Sequence, residues 1–497
     1  MHQRITWLLL LCAGLLPAGP VAAGPASGAS PVVPPAVIAR AAAEGRVRVI
    51  VEIEAPDATL AQADRRVREV TATTDAVLAR LPAGGHALRH RFATVPAIAL
   101  EADAATLRRL AEDPRVLRVD LDAPGRGHGV APDEASALNG VAVLRDLGLD
   151  GAGRKVAIVD SGVFANHPDL GAQLLDEQCF CSSLSGASGC CPNLKAVQAG
   201  PGAARDDNGH GTNIAGIILG AGNVAPRGAV PAARFVAVKV LDAGNGFCCT
   251  SDVIAALDWI VLHHPDVDAV NMSLGTHALF AGDCDAAGAG NHALAVAIDS
   301  LTMLGAVVTA STGNQGAVGL AAAPACVRNT VGVGATWDAP GGAITYLGCT
   351  ESARAPWKPT CFSNHSATTD LYAAGALVTS TGYTGGTSVQ GGTSQASAMT
   401  SACAVALAQA TPDASAMRRI EALRGTPRTV LHGPWTYPLL DCAQALSGVM
   451  TVRACAAGST APTCCGPGML DCKGGIRTVP AATLPPRARA HADSTVR

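Results

Sequence analysis

The chain has 497 residues, 48% of them hydrophobic and only 15% charged, with 36 Lys plus Arg nearly balancing 39 Asp plus Glu. That length exceeds one ordinary domain, and the even charge without a long basic run excludes an electrostatic footprint for nucleic acid. The 55 glycines and 31 prolines stay below the share typical of a disordered chain.

Arg4, a short apolar run from Ile5 to Leu16 and the small-residue site Val21-Ala22-Ala23 form the pattern of a secretory signal peptide over residues 1–23. The run is too short to span a bilayer as a stable helix. Cys12 follows Leu11, where lipid attachment wants a small residue, so no lipid anchor is expected. The chain is expected to be secreted, outside the cell or into the periplasm or cell envelope, with no membrane association after signal removal. Of 17 cysteines, Cys12 leaves with the signal. An even remainder in an exported chain argues for disulfides. Zinc is the competing reading, but no Cys-x-x-Cys pair faces a matching Cys or His pair. In Cys190-Cys191, Cys248-Cys249 and Cys464-Cys465 the adjacent Cα atoms lie closer than a relaxed disulfide wants, so each member is expected to take a distant partner.

Residues 24–46 are rich in Ala, Pro and Gly and read as a linker. The next piece, 47–124, carries a strand (V-R-V-I-V-E-I), a long polar helix, two strands (H-A-L-R-H-R-F and V-P-A-I-A-L-E), a helix and a strand (V-L-R-V-D-L). This βαββαβ order on a cysteine-free segment predicts a ferredoxin-like α+β unit. The stretch from Asp122, D-A-P-G-R-G-H-G-V-A-P-D-E, is Gly/Pro-rich enough to stay extended.

Between about 125 and 447, apolar strands alternate with amphipathic helices. The strand candidates are Val156 to Asp160, Phe235 to Leu241, Ala269 to Leu274, Ala306 to Ala310 and Val331 to Ala335. The helix Ser251 to His263 sets Val253, Leu257, Ile260 and Val261 on one face, with Ser251 as its N-cap. The apolar stretch Ala293 to Ala310, broken by Asp299, Ser300 and Gly305, reads as a buried helix followed by a strand. Such alternation predicts an α/β fold in three layers, a parallel sheet covered on both faces, with ligands at the carboxyl ends of its strands. Residues 448–497 lose the periodicity, hold four cysteines and end in a Pro/Arg/Ala-rich tail expected to be disordered.

Three stretches of the large unit carry chemistry. V-A-I-V-D-S-G-V delivers Asp160 to the end of an apolar strand, where it could equally cap a turn. D-D-N-G-H-G-T-N sets His210 between two glycines at a helix start; a lone histidine is more often structural, but these neighbours leave its ring approachable. G-G-T-S-Q-A-S-A puts Ser394 in the first turn of a helix of small residues. A serine hydroxyl becomes a nucleophile when an imidazole takes its proton, and the imidazole needs a carboxylate to fix its tautomer. The chain order Asp, His, Ser is one of the known orders for that arrangement.

With D-S-G-V…H-P-D-L, G-H-G-T and G-T-S-Q-A-S in this order, the chain resembles the subtilisin-like serine protease family. The resemblance implies a subtilisin-like peptidase unit over 125–447, preceded by an inhibitor-like propeptide over 47–124. It implies a secreted endopeptidase made as a zymogen that removes its own propeptide, with Asp160, His210 and Ser394 catalytic. Asn314, in S-T-G-N-Q-G, matches the family's oxyanion-hole asparagine, although Gly-Asn-Gln-Gly is also turn-prone. Ser273, Leu274 and Gly275 match one substrate-pairing edge, and Ala243 to Gly246, with Gly244 and Gly246, the other. The implied partners are polypeptide substrates and the chain's own propeptide, acting on a monomer. No cofactor is implied for the chemistry; structural calcium is common in the family, and no acidic loop identifies its ligands. The resemblance also implies a disulfide between Cys284 and Cys326. Cysteines 179, 181, 190 and 191 sit in an insertion and are expected to pair among themselves or with Cys248 and Cys249. Where the family usually has proline and histidine, this chain has Ala398 and Asn213. An esterase would usually carry G-x-S-x-G around its serine, and an inactive binding module would usually lack a triad member; a catalytically specialised or inactive interaction protein is the alternative reading, ahead of an esterase.

Overall fold

The computed structural model describes residues 32–56, 58, 62–123, 125–127, 135–183 and 188–450. The expected signal peptide and almost all of the C-terminal extension lie outside the described residues.

The N-terminal unit is a four-stranded antiparallel sheet in the order His86–Arg91, Ala97–Ala102, Val47–Ile53, Val116–Leu121, with helices Ala63–Leu78 and Ala104–Ala111. The continuous run V-I-V in the second half of V-R-V-I-V has a tertiary cause. Val49 and Val51 pack with Ile98, Leu100, Leu107 and Leu110 in this unit's own core. Ile50, with Phe92 and Ala99, packs instead into a core shared with the large unit, so the sheet is buried on both faces. Part of the stretch read as a linker, 24–46, forms the helix Pro35–Glu44. Val37 and Ala41, four apart, give it an apolar stripe that joins the N-terminal unit's own core beside Val33 just before the helix, and Pro35 suits the first turn of a helix.

The large unit is built on an eight-stranded sheet, ordered Leu371–Ala376, Thr330–Trp337, Val307–Ser311, Ala269–Met272, Lys155–Asp160, Arg234–Lys239, Leu174–Phe180, Val197–Ala199. All neighbours are parallel except the last pair. Alternation along Lys155–Asp160 divides the layers: Val156 and Ile158 pack towards helices His210–Leu219 and Thr393–Ala410, whereas Ala157 and Val159 pack towards Thr250–His263 and Ala289–Met303. In Thr393–Ala410 every residue except Gln409 is buried, which is why its sequence is so poor in large side chains. Ser397 and Ser401 satisfy their hydroxyls on Asn271 Oδ1, at 3.0 and 3.2 Å.

Six disulfides form among the described residues. Cys284 pairs with Cys326, and the insertion cysteines pair among themselves as Cys179–Cys191 and Cys181–Cys190. One expectation is overturned: Cys248 and Cys249 bond to each other, with Cα atoms 3.7 Å apart. Pairing within the insertion leaves both of them buried beside one another, with no distant thiol left to reach among the described residues.

Candidate active site

Strand Lys155–Asp160 ends at the sheet's carboxyl edge, and Asp160 is fully buried there. Its Oδ1 lies 2.7 Å from Nδ1 of His210 and accepts the Ser161 backbone N–H at 2.7 Å. His210 opens the helix His210–Leu219. The glycine after it is a steric requirement, since a Cβ on Gly211 would stand 2.1 Å from the Gly162 carbonyl and 3.1 Å from Asp160 Oδ1.

Ser394 occupies the first turn of Thr393–Ala410, the helix that packs against His210–Leu219. Its Oγ donates to the Ser273 carbonyl at 3.1 Å, while Ser273 Oγ donates to the Ser394 carbonyl at 2.8 Å. Asn213, one turn beyond His210, links the same parts: Nδ2 donates to Ser388 Oγ at 3.0 Å and Oδ1 accepts from Gln395 Nε2 at 3.3 Å.

Asn314 follows strand Val307–Ser311 and is buried. Its Oδ1 accepts from the Thr393 N–H at 3.1 Å and from Thr393 Oγ1 at 2.8 Å, which fixes the rotation of the amide. Its Nδ2 is a buried donor with no partner among the described residues. A buried N–H left idle costs about 1–3 kcal/mol, and an acceptor brought by a bound molecule would relieve that cost.

The two predicted edges flank one short segment. Gly125–Gly127 pairs antiparallel with Gly246–Phe247 on one side and with Leu274–Thr276 on the other, Leu274 opposite Gly127 and Gly246 opposite Arg126. Ser273 lies immediately before the paired strand, and Gly244 sits in the preceding turn, where its N–H donates to Asp242 Oδ1 at 2.9 Å.

Sequence reasoning passed over several residues that hold this site. Asp206 accepts from Ser161 Oγ (2.9 Å), Asn208 N (3.0 Å), Gly209 N (2.9 Å), Thr212 N (3.0 Å) and Thr212 Oγ1, tying the start of the His210 helix to the turn after Asp160. An acidic residue just before a helix was the available signal. The buried Lys239 closes that turn, donating to the carbonyls of Ser161 and Leu241, both at 2.8 Å, and to Asp207 Oδ1 at 2.6 Å. The N-terminal unit contributes helix caps that no local pattern announces. Asp122 Oδ1 accepts the Ser251 N–H at 2.9 Å and Asp120 Oδ2 accepts the Ala289 N–H at 2.7 Å. The expected N-cap role of Ser251 thus passes to Asp122, and the helix begins one residue earlier, at Thr250. His90 Nε2 meets Asp252 Oδ1 at 2.8 Å, and Asp258 accepts the N–H groups of Ala93 (2.7 Å) and Thr94 (2.9 Å).

The group of three ligating side chains found among the described residues is Cys248, Cys249 and Asp252, which is unlike the oxygen cage that calcium takes. Asp169 is already filled by the N–H groups of Asn223, Val224 and Ala225. No described helix is long and apolar enough to cross a membrane.

A sequence model of the Subtilase family matches residues 151–430. The chain is 30% identical over 261 residues to subtilisin E of Bacillus subtilis (strain 168), covering 50% of this chain and 58% of that protein. It is also 30% identical over 304 residues to an extracellular serine proteinase of Thermus sp. (strain Rt41A), covering 60% and 62%. The chain therefore spans less than two thirds of the length of these curated relatives. Fervidolysin from Fervidobacterium pennivorans, a solved structure described as a keratinolytic enzyme related to subtilisin, matches with a TM-score of 0.55 and 17% identity, covering 81% of this chain and 61% of that one. At that identity the likeness is one of fold. The family match extends over more than half of the sequence and over every strand of the sheet's parallel core, and the chain belongs to the subtilase family.

Proposed function

We propose that the chain is an exported serine endopeptidase, made as a zymogen and matured by its own activity. The observation that carries this reading is the buried His210–Asp160 contact of 2.7 Å, set among elements that also bring Ser394 and the idle Asn314 amide to one edge of the sheet. Ser394 Oγ attacks the scissile carbonyl and surrenders its proton to His210, which requires it to leave the Ser273 carbonyl it now faces. Asp160 holds the imidazole in the right tautomer and stabilises its positive charge. The developing oxyanion takes the Asn314 Nδ2 donor and the Ser394 backbone N–H. His210 then protonates the leaving amine, and water hydrolyses the acyl-enzyme by the same steps reversed. Side chains and backbone groups of this chain handle each proton and charge.

Polypeptide substrates bind as an added strand between Gly246 and the edge beginning at Leu274, held by main-chain bonds. The segment Gly125–Gly127 supports that mode by pairing with both edges. In this reading residues 47–124 are the propeptide, docked through Asp120, Asp122, His90 and the 93–94 turn. Cleavage falls between about Asp122 and Asp133; residues 124 and 128–134 lie outside the described residues. Export agrees with the disulfides.

Labelling of the secreted protein by a fluorophosphonate, lost in Ser394→Ala, tests the nucleophile. Casein digestion without lipid-ester hydrolysis tests the substrate class. Label retained in Ser394→Ala would overturn the assignment.

A further inference from the structure

We propose that Asn364 is a positioning residue that aims the Asn314 amide, an inference that rests on the oxyanion role given to Asn314 above. Loop 312–317 leaves the carboxyl end of strand Val307–Ser311 and has to turn sharply: Gly313 has φ 109°, and a Cβ there would stand 2.4 Å from Asn364 Nδ2. The polar groups that a strand would have paired are taken instead by one fully buried residue. Asn364 Nδ2 donates to the Thr312 carbonyl at 3.0 Å and to Gln315 Oε1 at 2.6 Å. Its Oδ1 accepts the N–H groups of Gln315 at 3.0 Å and Ala317 at 2.9 Å. Its backbone N–H donates to the Gly313 carbonyl at 2.9 Å, and its carbonyl accepts from Thr312 Oγ1 at 2.9 Å.

These bonds bracket Asn314 from both sides, and none is to Asn314 itself. The four side-chain bonds use both donors and both lone pairs of the carboxamide. Aspartate has no donors to offer, and glutamine adds a methylene to a site without room. Thr393 sets the rotation of the Asn314 amide, and Asn364 sets the backbone from which that amide projects. A donor displaced by even part of an ångström loses much of its hold on a transition state, so loosening this loop affects turnover rather than substrate affinity.

The test is steady-state kinetics on a peptide substrate for full-length Asn364→Ala, Asn314→Ala and the double variant. Asn364→Ala is expected to lower kcat about 10- to 100-fold with KM within about twofold, and to cost less than about threefold more in the Asn314→Ala background. Losses that multiply in the double variant, or a loss confined to KM, would overturn the proposal. If Asn364→Ala does not fold, the exposed partner decides. Gln315→Ala removes one acceptor and is expected to lower kcat about 3- to 10-fold, again only when Asn314 is present. Unchanged kcat in Gln315→Ala then counts against it. A costly Asn314→Ala beside a neutral, folded Asn364→Ala overturns this inference alone, whereas wild-type kcat in Asn314→Ala overturns the oxyanion reading beneath it.

Discussion

Asn314 keeps a buried donor idle while its oxygen is clamped by Thr393, an asymmetry that fits the proposed oxyanion role better than a plain turn. Turn asparagines bond their own neighbourhood; this one points its N–H groups where no acceptor of the described protein waits. Asn314→Ala is therefore expected to lower kcat by about two to three decades with little change in KM, measured on a peptide substrate. An effect on KM alone would return Asn314 to the status of a turn residue. At the same scale, Asn213 accounts for a departure from the family pattern: its carboxamide bridges Ser388 and Gln395, so both hydrogen-bonding ends of the side chain have work between the His210 helix and the Ser394 helix.

The hairpin formed by Thr429–His432 and Trp435–Pro438 is fastened by a pair of histidines. His365 and His432 face each other with ring centroids 3.8 Å apart, and His432 Nδ1 bonds the Tyr372 hydroxyl at 2.7 Å. Burial, reinforced by the neighbouring His365 and opposed by Glu351, pushes His432 down to about 4. Burial lowers His365 as well. Both rings are thus neutral in the folded protein at pH values where the unfolded chain takes up protons. The contribution of His432 is complete above the ordinary histidine value of about 6.5 and is lost as pH falls from there toward 4, and His365 acts in the same direction. Thermal unfolding is expected to show a lower Tm at pH 4.5 than at pH 7, with a smaller drop in His432→Gln; an equal drop would assign the acid sensitivity elsewhere. Helices Thr250–His263 and Ala289–Met303 depend on carboxylates from another part of the chain. Removing a helix cap costs about 0.5–2 kcal/mol. Asp122→Ala, made in the unprocessed Ser394→Ala protein, is expected to lower Tm by a few degrees. No change would mean that water replaces the cap.

At the scale of the whole molecule, the N-terminal sheet packs one face on its own helices and the other on the large unit, so its release would expose an apolar surface around Ile50, Phe92 and Val95. The small unit closes its sheet over shorter stretches of chain than the central pairing of the large parallel sheet, Val156 with Ala269, which would suit it to template the larger fold. N-terminal sequencing of the secreted wild type should therefore find a start within the window from Asp122 to Asp133, with residues 47–121 absent. Ser394→Ala, made in a protease-deficient host, should begin near Gly24 and retain them. Equal processing of both in that host would assign the cut to another protease.

Asp160, His210 and Ser394 were legible because each lies in a short motif whose neighbours have a local reason, a strand end or a helix start flanked by glycine. The parallel sheet was legible for a similar reason: strands buried on both faces are written as apolar runs such as V-A-I-V. Leu174–Phe180 escaped, since L-L-D-E-Q-C-F carries charges that suit a position near the sheet edge, and Leu371–Ala376 escaped because small residues suffice where the Ser394 helix packs closely. Sequence by itself determined the family motifs and the layer architecture, because each motif and each strand or helix is written in residues near one another along the chain. Tertiary structure alone decided that Asp122 caps a helix 129 residues away, that Cys248 bonds to Cys249, and that Asn364 holds the loop of Asn314. Those partners are chosen by distance in space, and only the folded chain sets that distance.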